Sequence, residues 1–246
     1  MRLIDEQYTK TPFYGVRKIT AWLRSLGYTV NPKRVRRLMR QMGLCAIFPK
    51  PKTSTPGEST QKYPYLLSSV VINRPNQVWS TDITYIRLTR GFVYLVAVLD
   101  WFSRYVLSWE LSNSLDIFFC LEALEKALNT GTPKLFNRDP GGQFTSEAFM
   151  NRIKRANISH SWDGRGRVFD NIFIERLWRT VKYEEVYLKE YQSVTDAFCG
   201  LSSYFDFYNH ERLHQSLGYR TPQQVHFRMG QKPIPHVITF GANPPR

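Results

Sequence analysis

Apolar residues recur at helical spacing near the start of the chain, at Val16, Ile19, Trp22, Leu23 and Leu26, and Gly27 stops the run. "GYTV" turns the chain, Asn31 is a good cap, and Pro32 suits a first helical position. Val35, Leu38, Met39 and Met42 then form a second stripe, ended by Gly43. Two short helices joined by a tight turn predict a helix-turn-helix. Residues 49–64, "PKPKTSTPGESTQKYP", are rich in Pro, Ser, Thr and Lys and read as a linker.

From about Gln77 the period changes. "VWSTDITYIRL" alternates and is rich in β-branched and aromatic residues, which predicts a strand. "FVYLVAVLDWFS" and "YVLSWELS" predict two more, making an antiparallel meander. A helix follows in "SLDIFFCLEALEKALNT", with Phe118, Leu121, Leu124, Ala127 and Leu128 in register. "PKLFNRD" is a short strand, "TSEAFMNRIKRAN" a helix started by Thr145 or Ser146, and "ISHSW" a fifth strand. Helices are predicted from Asp170 to Tyr187 and from about Val194 to Tyr208. Three strands, then helix, strand, helix, strand, helix, build an α/β domain: a mixed five-stranded sheet with helices on its faces.

The helix at 170–187 has two faces. Phe173, Ile174, Leu177 and Val181 gather on one, fit for a core. Glu175, Trp178, Arg179 and Lys182 gather roughly opposite. Taken alone, that second face reads as solvated, with an i,i+4 pair from Glu175 to Arg179.

Charge changes the picture. The 246 residues hold 34 Lys and Arg against 20 Asp and Glu, a formal +14, while 42% hydrophobic residues suffice for a packed core. Residues 1–62 hold 13 cations and 3 anions, and the rest 21 and 17, so the excess is concentrated in the first quarter. Lys33, Arg34, Arg36, Arg37 and Arg40 crowd the second helix and would repel one another unless a polyanion neutralised them. Nucleic acid is the expected partner. Cys45, Cys120 and Cys199 are widely spaced, and His210 and His214 have no obvious acidic or Cys partner, so neither disulfides nor a zinc site is expected. With no long apolar run and no signal-like N-terminus, a cytoplasmic protein is expected.

Three carboxylates stand out. Asp82 lies in mid-strand, where Asp is disfavoured. Asp139 ends the fourth strand before "PGGQFTS", and Glu175 sits one turn into its helix. First and fourth strands of a mixed sheet are often neighbours, and a late helix can pack across them, so the three could converge. Two carboxylates about 4 Å apart repel by about 4 kcal/mol at an effective dielectric near 20. Divalent cations cancel that repulsion, and Mg²⁺ favours hard oxygen ligands and phosphates. Two such ions about 3.5–4 Å apart suit phosphodiester chemistry. A glycosidase also needs two carboxylates but has no use for a basic N-terminal segment.

"WSTDITYI", "FNRDPGGQFTS" and "DGRGRVFDNIFIERLWRTVKYEEVYL" resemble the catalytic blocks of bacterial insertion-sequence transposases of the retroviral-integrase type. The resemblance is strongest to the second-reading-frame product of the insertion-sequence-three group. It spans about residues 5–225, including "YNHERLHQSLGYRTP" and the N-terminal helix-turn-helix, and the 35 residues between Asp139 and Glu175 match the family's spacing. It implies an RNase H-like core in which Asp82, Asp139 and Glu175 are the catalytic and metal-binding triad. Mg²⁺ would be the cofactor as two ions, with Mn²⁺ a substitute. Lys182 matches the basic residue that contacts DNA at the element end, and Arg179 shares its face. The implied chemistry is cleavage at the element end to release a 3′-OH, which attacks a second phosphodiester.

The implied partners are double-stranded DNA, further copies of the chain on that DNA, and an upstream reading-frame product, since Met1 falls late in the family pattern. The implied location is the bacterial nucleoid. Arg138 replaces a usual Ser or Thr, Pro140 a usual Gln, and Leu213 a frequent Pro. The expected organisation is a helix-turn-helix segment at 1–48, a linker at 49–74, the catalytic core at 75–190, and a C-terminal helix and tail at 191–246. A non-catalytic DNA-binding relic or repressor is the alternative reading, and a plain nuclease on the same core a third. The complete triad speaks against the relic, and the arginine-rich helix against the nuclease.

Overall fold

The computed structural model describes residues 1–47, 71–138, 142–162, 171–228 and 238–239. Three helices come first: α1 (Arg2–Lys10), α2 (Val16–Ser25) and α3 (Pro32–Gln41). The Asn31 side chain accepts from the Lys33 N–H, capping α3 as its position before Pro32 predicts. Ile4, Tyr14, Ile19, Leu23, Val35 and Met39 bury a small core between them. Leu26, expected in that core, is half exposed, because α2 ends at Ser25 and Leu26 belongs to the turn. Helix α1 was not anticipated; Leu3 and Ile4 add apolar contacts to this core.

The larger unit holds β1 (Val71–Ile72), β2 (Val78–Arg87), β3 (Phe92–Asp100), β4 (Val106–Ser112), α4 (Phe118–Leu128), β5 (Leu135–Arg138), α5 (Gly142–Thr145), α6 (Glu147–Arg155), β6 (Ser159–Trp162), α7 (Ile172–Glu184), α8 (Val194–His210), α9 (Pro222–His226) and β7 (Ile238–Thr239). Five strands form one sheet in the order β4-β3-β2-β5-β6. The first three run antiparallel, and β5 and β6 run parallel to β2. β1 pairs with β7 in a separate two-stranded ladder.

Alternation along the strands divides the core into two layers. Val78, Ile86, Leu95, Ala97 and Leu99 face α7 and α8, packing on Ile174, Leu177, Val181, Leu201 and Phe205. Trp79, Val96, Val98 and Phe136 face α4 and α6, packing on Leu124, Phe149 and Ile153. The Ser146 side chain caps α6 by accepting from the Phe149 N–H. On α4 the buried stripe is Phe119, Cys120, Ala123, Leu124 and Ala127. Phe118 was expected inside but is 75% exposed, since it is the first residue of α4 and points off the sheet.

The C-terminal block closes the unit. The Asn209 amide accepts from the Val106 N–H at 3.0 Å and donates to the Val106 carbonyl at 2.9 Å, filling a rung at the edge of β4. Arg212 donates to both carboxylate oxygens of Glu184, at the end of α7, at 2.6 and 2.5 Å. The helical N-terminal unit docks on the same place. The Tyr14 hydroxyl accepts from the Leu213 N–H at 3.0 Å, Lys18 lies 3.7 Å from Glu184, and Phe13 meets Phe207 edge to face. Among the described residues no helix is long and apolar enough to cross a membrane.

Candidate functional site

β2 supplies the first candidate. Asp82 shares its face with Val78, Ser80, Thr84 and Ile86 and lies directly opposite Ala97 of β3, so it points to the α7 side. There the Trp178 indole N–H donates to Asp82 Oδ2 at 2.8 Å. Trp178 is one turn beyond Glu175 and one turn before Lys182, so the face Glu175–Trp178–Lys182 lies over Asp82. The Asp82 charge reaches Lys182: burial lowers the ammonium's pKa, and Asp82 partly restores it. Glu175 and Arg179 are exposed, and no ion pair joins them. The simple solvated-face reading thus fails at its centre, because Trp178 is buried and hydrogen-bonded. Packing rotates the apolar arc far enough to take in Trp178 beside Ile174 and Val181.

β5 lies beside β2 in parallel, with Val78 opposite Leu135 and Thr81 opposite Arg138. The expected neighbour relation of these strands is therefore present. Asp139, the next residue, lies outside the described residues, as do Pro140 and residues 163–170. Arg138 is buried on the opposite face from Asp82, and its guanidinium donates to the Phe144 carbonyl. Burial depresses its pKa. Among the described residues no three His, Cys, Asp or Glu side chains gather as a metal site. A buried carboxylate of the sheet, Asp100, is taken up by structure: it accepts from the Asn76 and Ser103 N–H groups and the Ser103 hydroxyl.

The N-terminal cations stand apart. Lys33, Arg34, Arg36, Arg37 and Arg40 are all exposed on α3, while Val35 and Met39 hold the helix down. His210 pairs with Asp206 one turn back, an acidic partner the sequence reading does not find, and His214 touches Arg212.

Sequence reasoning missed two partnerships. One is Trp178 with Asp82; the i+3 spacing from Glu175 was visible, but its direction was not. The other is the buried cluster at the end of α7. Burial pushes the Glu184 carboxyl up, but the Arg212 guanidinium, the Lys18 cation and the Tyr204 hydroxyl together outweigh it and lower the group's pKa. Lys18 is lowered to about 8, chiefly by burial and then by the Arg212 cation, against the pull of Glu184. Burial, with the Arg212 and Lys18 charges, holds His214 well below its ordinary value.

Comparison with known proteins agrees with this fold. Residues 72–167 and 156–222 match integrase core domain models, and residues 1–52 match an HTH-like domain. The transposase for insertion sequence element IS629 of Shigella sonnei is 30% identical over 228 residues, covering 91% of this chain and 76% of that protein. The transposase InsF for insertion sequence IS3A of Escherichia coli K12 is 30% identical, covering 86% and 76%. The transposase for IS904 of Lactococcus lactis subsp. lactis (strain IL1403) is 28% identical, covering 85% and 86%. In fold, the chain resembles the HTLV-2 integrase catalytic core domain in complex with magnesium, with TM-score 0.51 at 20% identity over 62% of this chain and 97% of that one. It also resembles the simian T-cell lymphotropic virus intasome chain, with TM-score 0.56 at 19% identity over 88% and 77%. The expected RNase H-like sheet and helical N-terminal domain are thus the fold observed.

Proposed function

The chain belongs to the insertion-sequence transposases with an integrase core domain, enzymes of the polynucleotidyl transferase type, and we propose that it cuts and joins DNA at element ends through Asp82, Asp139 and Glu175. The observation that carries this is the 2.8 Å hydrogen bond from Trp178 to Asp82. It lays the helix face bearing Glu175 and Lys182 over a strand-borne carboxylate. Asp139 directly follows Arg138 in the sequence, and Arg138 is the β5 residue paired with Thr81, the neighbour of Asp82.

The donor set fits a hard divalent cation. The candidate ligands are carboxylate oxygens only, with no thiolate or imidazole among them. Mg²⁺ held by Asp82, Asp139 and Glu175, as two ions, would lower the pKa of an attacking water or 3′-OH and neutralise charge on the leaving oxygen. The residues of the chain do the rest. Trp178 fixes one oxygen of Asp82 and so orients the carboxylate. Lys182 and Arg179, on the same helix face, hold phosphates of the reacting strand. The five cations of α3 hold backbone phosphates of the element end. Further copies of the chain assemble on that DNA in the bacterial nucleoid, with the upstream reading-frame product fused to it or beside it. Residues 1–48 act as the reader and 75–190 as the catalytic core, joined by the linker at 49–74, with 191–246 the C-terminal helix and tail.

The test is strand transfer of a labelled element-end duplex in Mg²⁺ or Mn²⁺. Asp82→Asn, Asp139→Asn and Glu175→Gln should each abolish joining while duplex affinity stays within about twofold. Joining at the parent rate by any one of them rejects its place in the triad.

A further inference from the structure

The β2–β3 hairpin and the end of α7 enclose a groove that the triad does not use. It has a volume of about 480 Å³ and is lined by Tyr85, Arg87, Phe92, Lys182, Val186 and Tyr187, with Gly91 at the turn. β5 pairs only with Val78–Thr81, so among the described residues no strand continues beside Ile83–Arg87, and the groove opens along that edge. Three of its rings are largely in water: Tyr187 is 61% exposed, Tyr85 56% and Phe92 51%. They are not loosely placed. Tyr85 packs edge-on to Phe92 at 5.3 Å, and Tyr183 holds Tyr187 at 5.1 Å with the planes at 86°. Ring faces this exposed contribute little to the core, and their edges are pinned by neighbours.

The charges name the occupant. Arg87 and Lys182 line the groove, and none of its lining residues is acidic. Lys182 belongs to both places, since it also feels the Asp82 carboxylate. A polyanion with flat apolar faces fits here, and duplex DNA does not present such faces sideways. Unpaired nucleotides do: their bases stack on aromatic rings and their phosphates meet cations. We propose that this groove takes a short single-stranded stretch of DNA, the unpaired nucleotides next to the reacting phosphodiester. Tyr187, Tyr85 and Phe92 stack the bases, and Arg87 and Lys182 hold the phosphates. The proposal rests on the reading of Asp82, Asp139 and Glu175 as the reaction site only for the identity of that phosphodiester; the groove's ligand chemistry stands on its own residues.

The probes are a blunt element-end duplex and the same duplex with a three-nucleotide unpaired tail carrying 2-aminopurine, each titrated with the full chain. Affinity is read by anisotropy and stacking by 2-aminopurine quenching. Tyr187→Ala and Phe92→Ala should weaken the tailed duplex about tenfold and lose the quenching, while blunt-duplex affinity changes less than twofold. Tyr187→Trp should restore both. Both positions are more than half exposed, so circular dichroism and melting temperature should stay at parent values. Equal loss on both duplexes, or retained quenching in the alanine variants, overturns the proposal. So does a shift in DNA-free oligomeric state with tail binding intact, which would make the groove a protein interface. Asp82→Asn should bind and quench the tail like the parent. If it does so yet still joins strands, the triad reading fails while the groove stands.

Discussion

Trp178 and Asp82 are 96 residues apart in sequence and joined by one hydrogen bond of 2.8 Å. The donor sits on a helix and the acceptor on the central strand, so the bond fixes how the helix face lies over the sheet.

Trp178→Phe keeps a ring in the core and deletes the donor. A hydrogen bond to a charged acceptor is worth about 1.5–3 kcal/mol, so the joining rate should fall about tenfold to a hundredfold. Folding stability should fall as well, by the lost bond and the lost ring volume together, about 2–4 kcal/mol. The Mg²⁺ concentration for half-maximal joining should rise with it. Joining kinetics across a Mg²⁺ series, beside a urea melt, separate the two effects; an unchanged Mg²⁺ dependence would reduce Trp178 to a packing residue.

Glu184 and Arg212 are both about 90% buried and joined by two parallel bonds. Removing either partner strands the other charge away from water. Arg212→Met and Glu184→Gln should each cost about 3–5 kcal/mol in urea unfolding. The double variant should cost less than the two singles summed, because neither Glu184 nor Arg212 is then left facing the other's empty place; Lys18 still loses its carboxylate wherever Glu184 is replaced. Strict additivity would deny the coupling.

Lys18 carries a pH dependence whose sign follows from its lowered pKa. In the fold it loses its proton near 8, and in the unfolded chain near 10.5. Between those values the unfolded chain binds more protons, so stability rises with pH across that window and carries the full penalty below pH 8. The contribution is at most about 3 kcal/mol. Lys18→Met should raise stability at pH 7 and flatten the climb toward pH 9.5. Higher pH is avoided because Tyr14, Tyr204 and Tyr208 have raised pKa values and begin to act in the opposite sense above 10. Urea midpoints at pH 7, 8, 9 and 9.5 decide it; parallel curves for parent and variant would exclude Lys18.

The cations of α3 are exposed, and among the described residues none of them forms an ion pair with a carboxylate. Neutralising Arg36, Arg37 and Arg40 should lower the slope of log affinity against log salt by up to about 3, near 0.9 for each phosphate left without its cation. Anisotropy titrations from low to moderate salt give that slope. If it does not move, α3 does not lie on the DNA backbone.

The fold was legible where period and punctuation agreed. Asn31 before Pro32, Ser146 before Glu147, and the alternation from Val78 to Arg87 each fixed an element within a residue or two. The neighbour relation of β2 and β5 followed from element order. What stayed hidden was tertiary. Phe118 fits the helical period of its stretch, but only the sheet decides which side of a helix end is inside. Trp178 is amphipathic, and its indole can face water or a carboxylate with the same sequence around it. Arg138 stands where the family pattern has a small Ser or Thr, and its guanidinium is buried against the Phe144 carbonyl. No local pattern joins Glu184 to Arg212, which are 28 residues apart and meet only in the folded chain. For the candidate site, the residue types and spacing carried Asp82 and Glu175; the orientation of Asp82 came from the packing.

The amide of Asn209 has a consequence for how copies of this protein meet. An outer strand with bare peptide groups invites a foreign strand to add itself, the first step of sheet-to-sheet aggregation. Here a side chain already occupies the Val106 rung, so stacking through β4 would first have to evict the helix that carries it. Contact between copies through this edge is thereby disfavoured, and with it indiscriminate growth of the sheet.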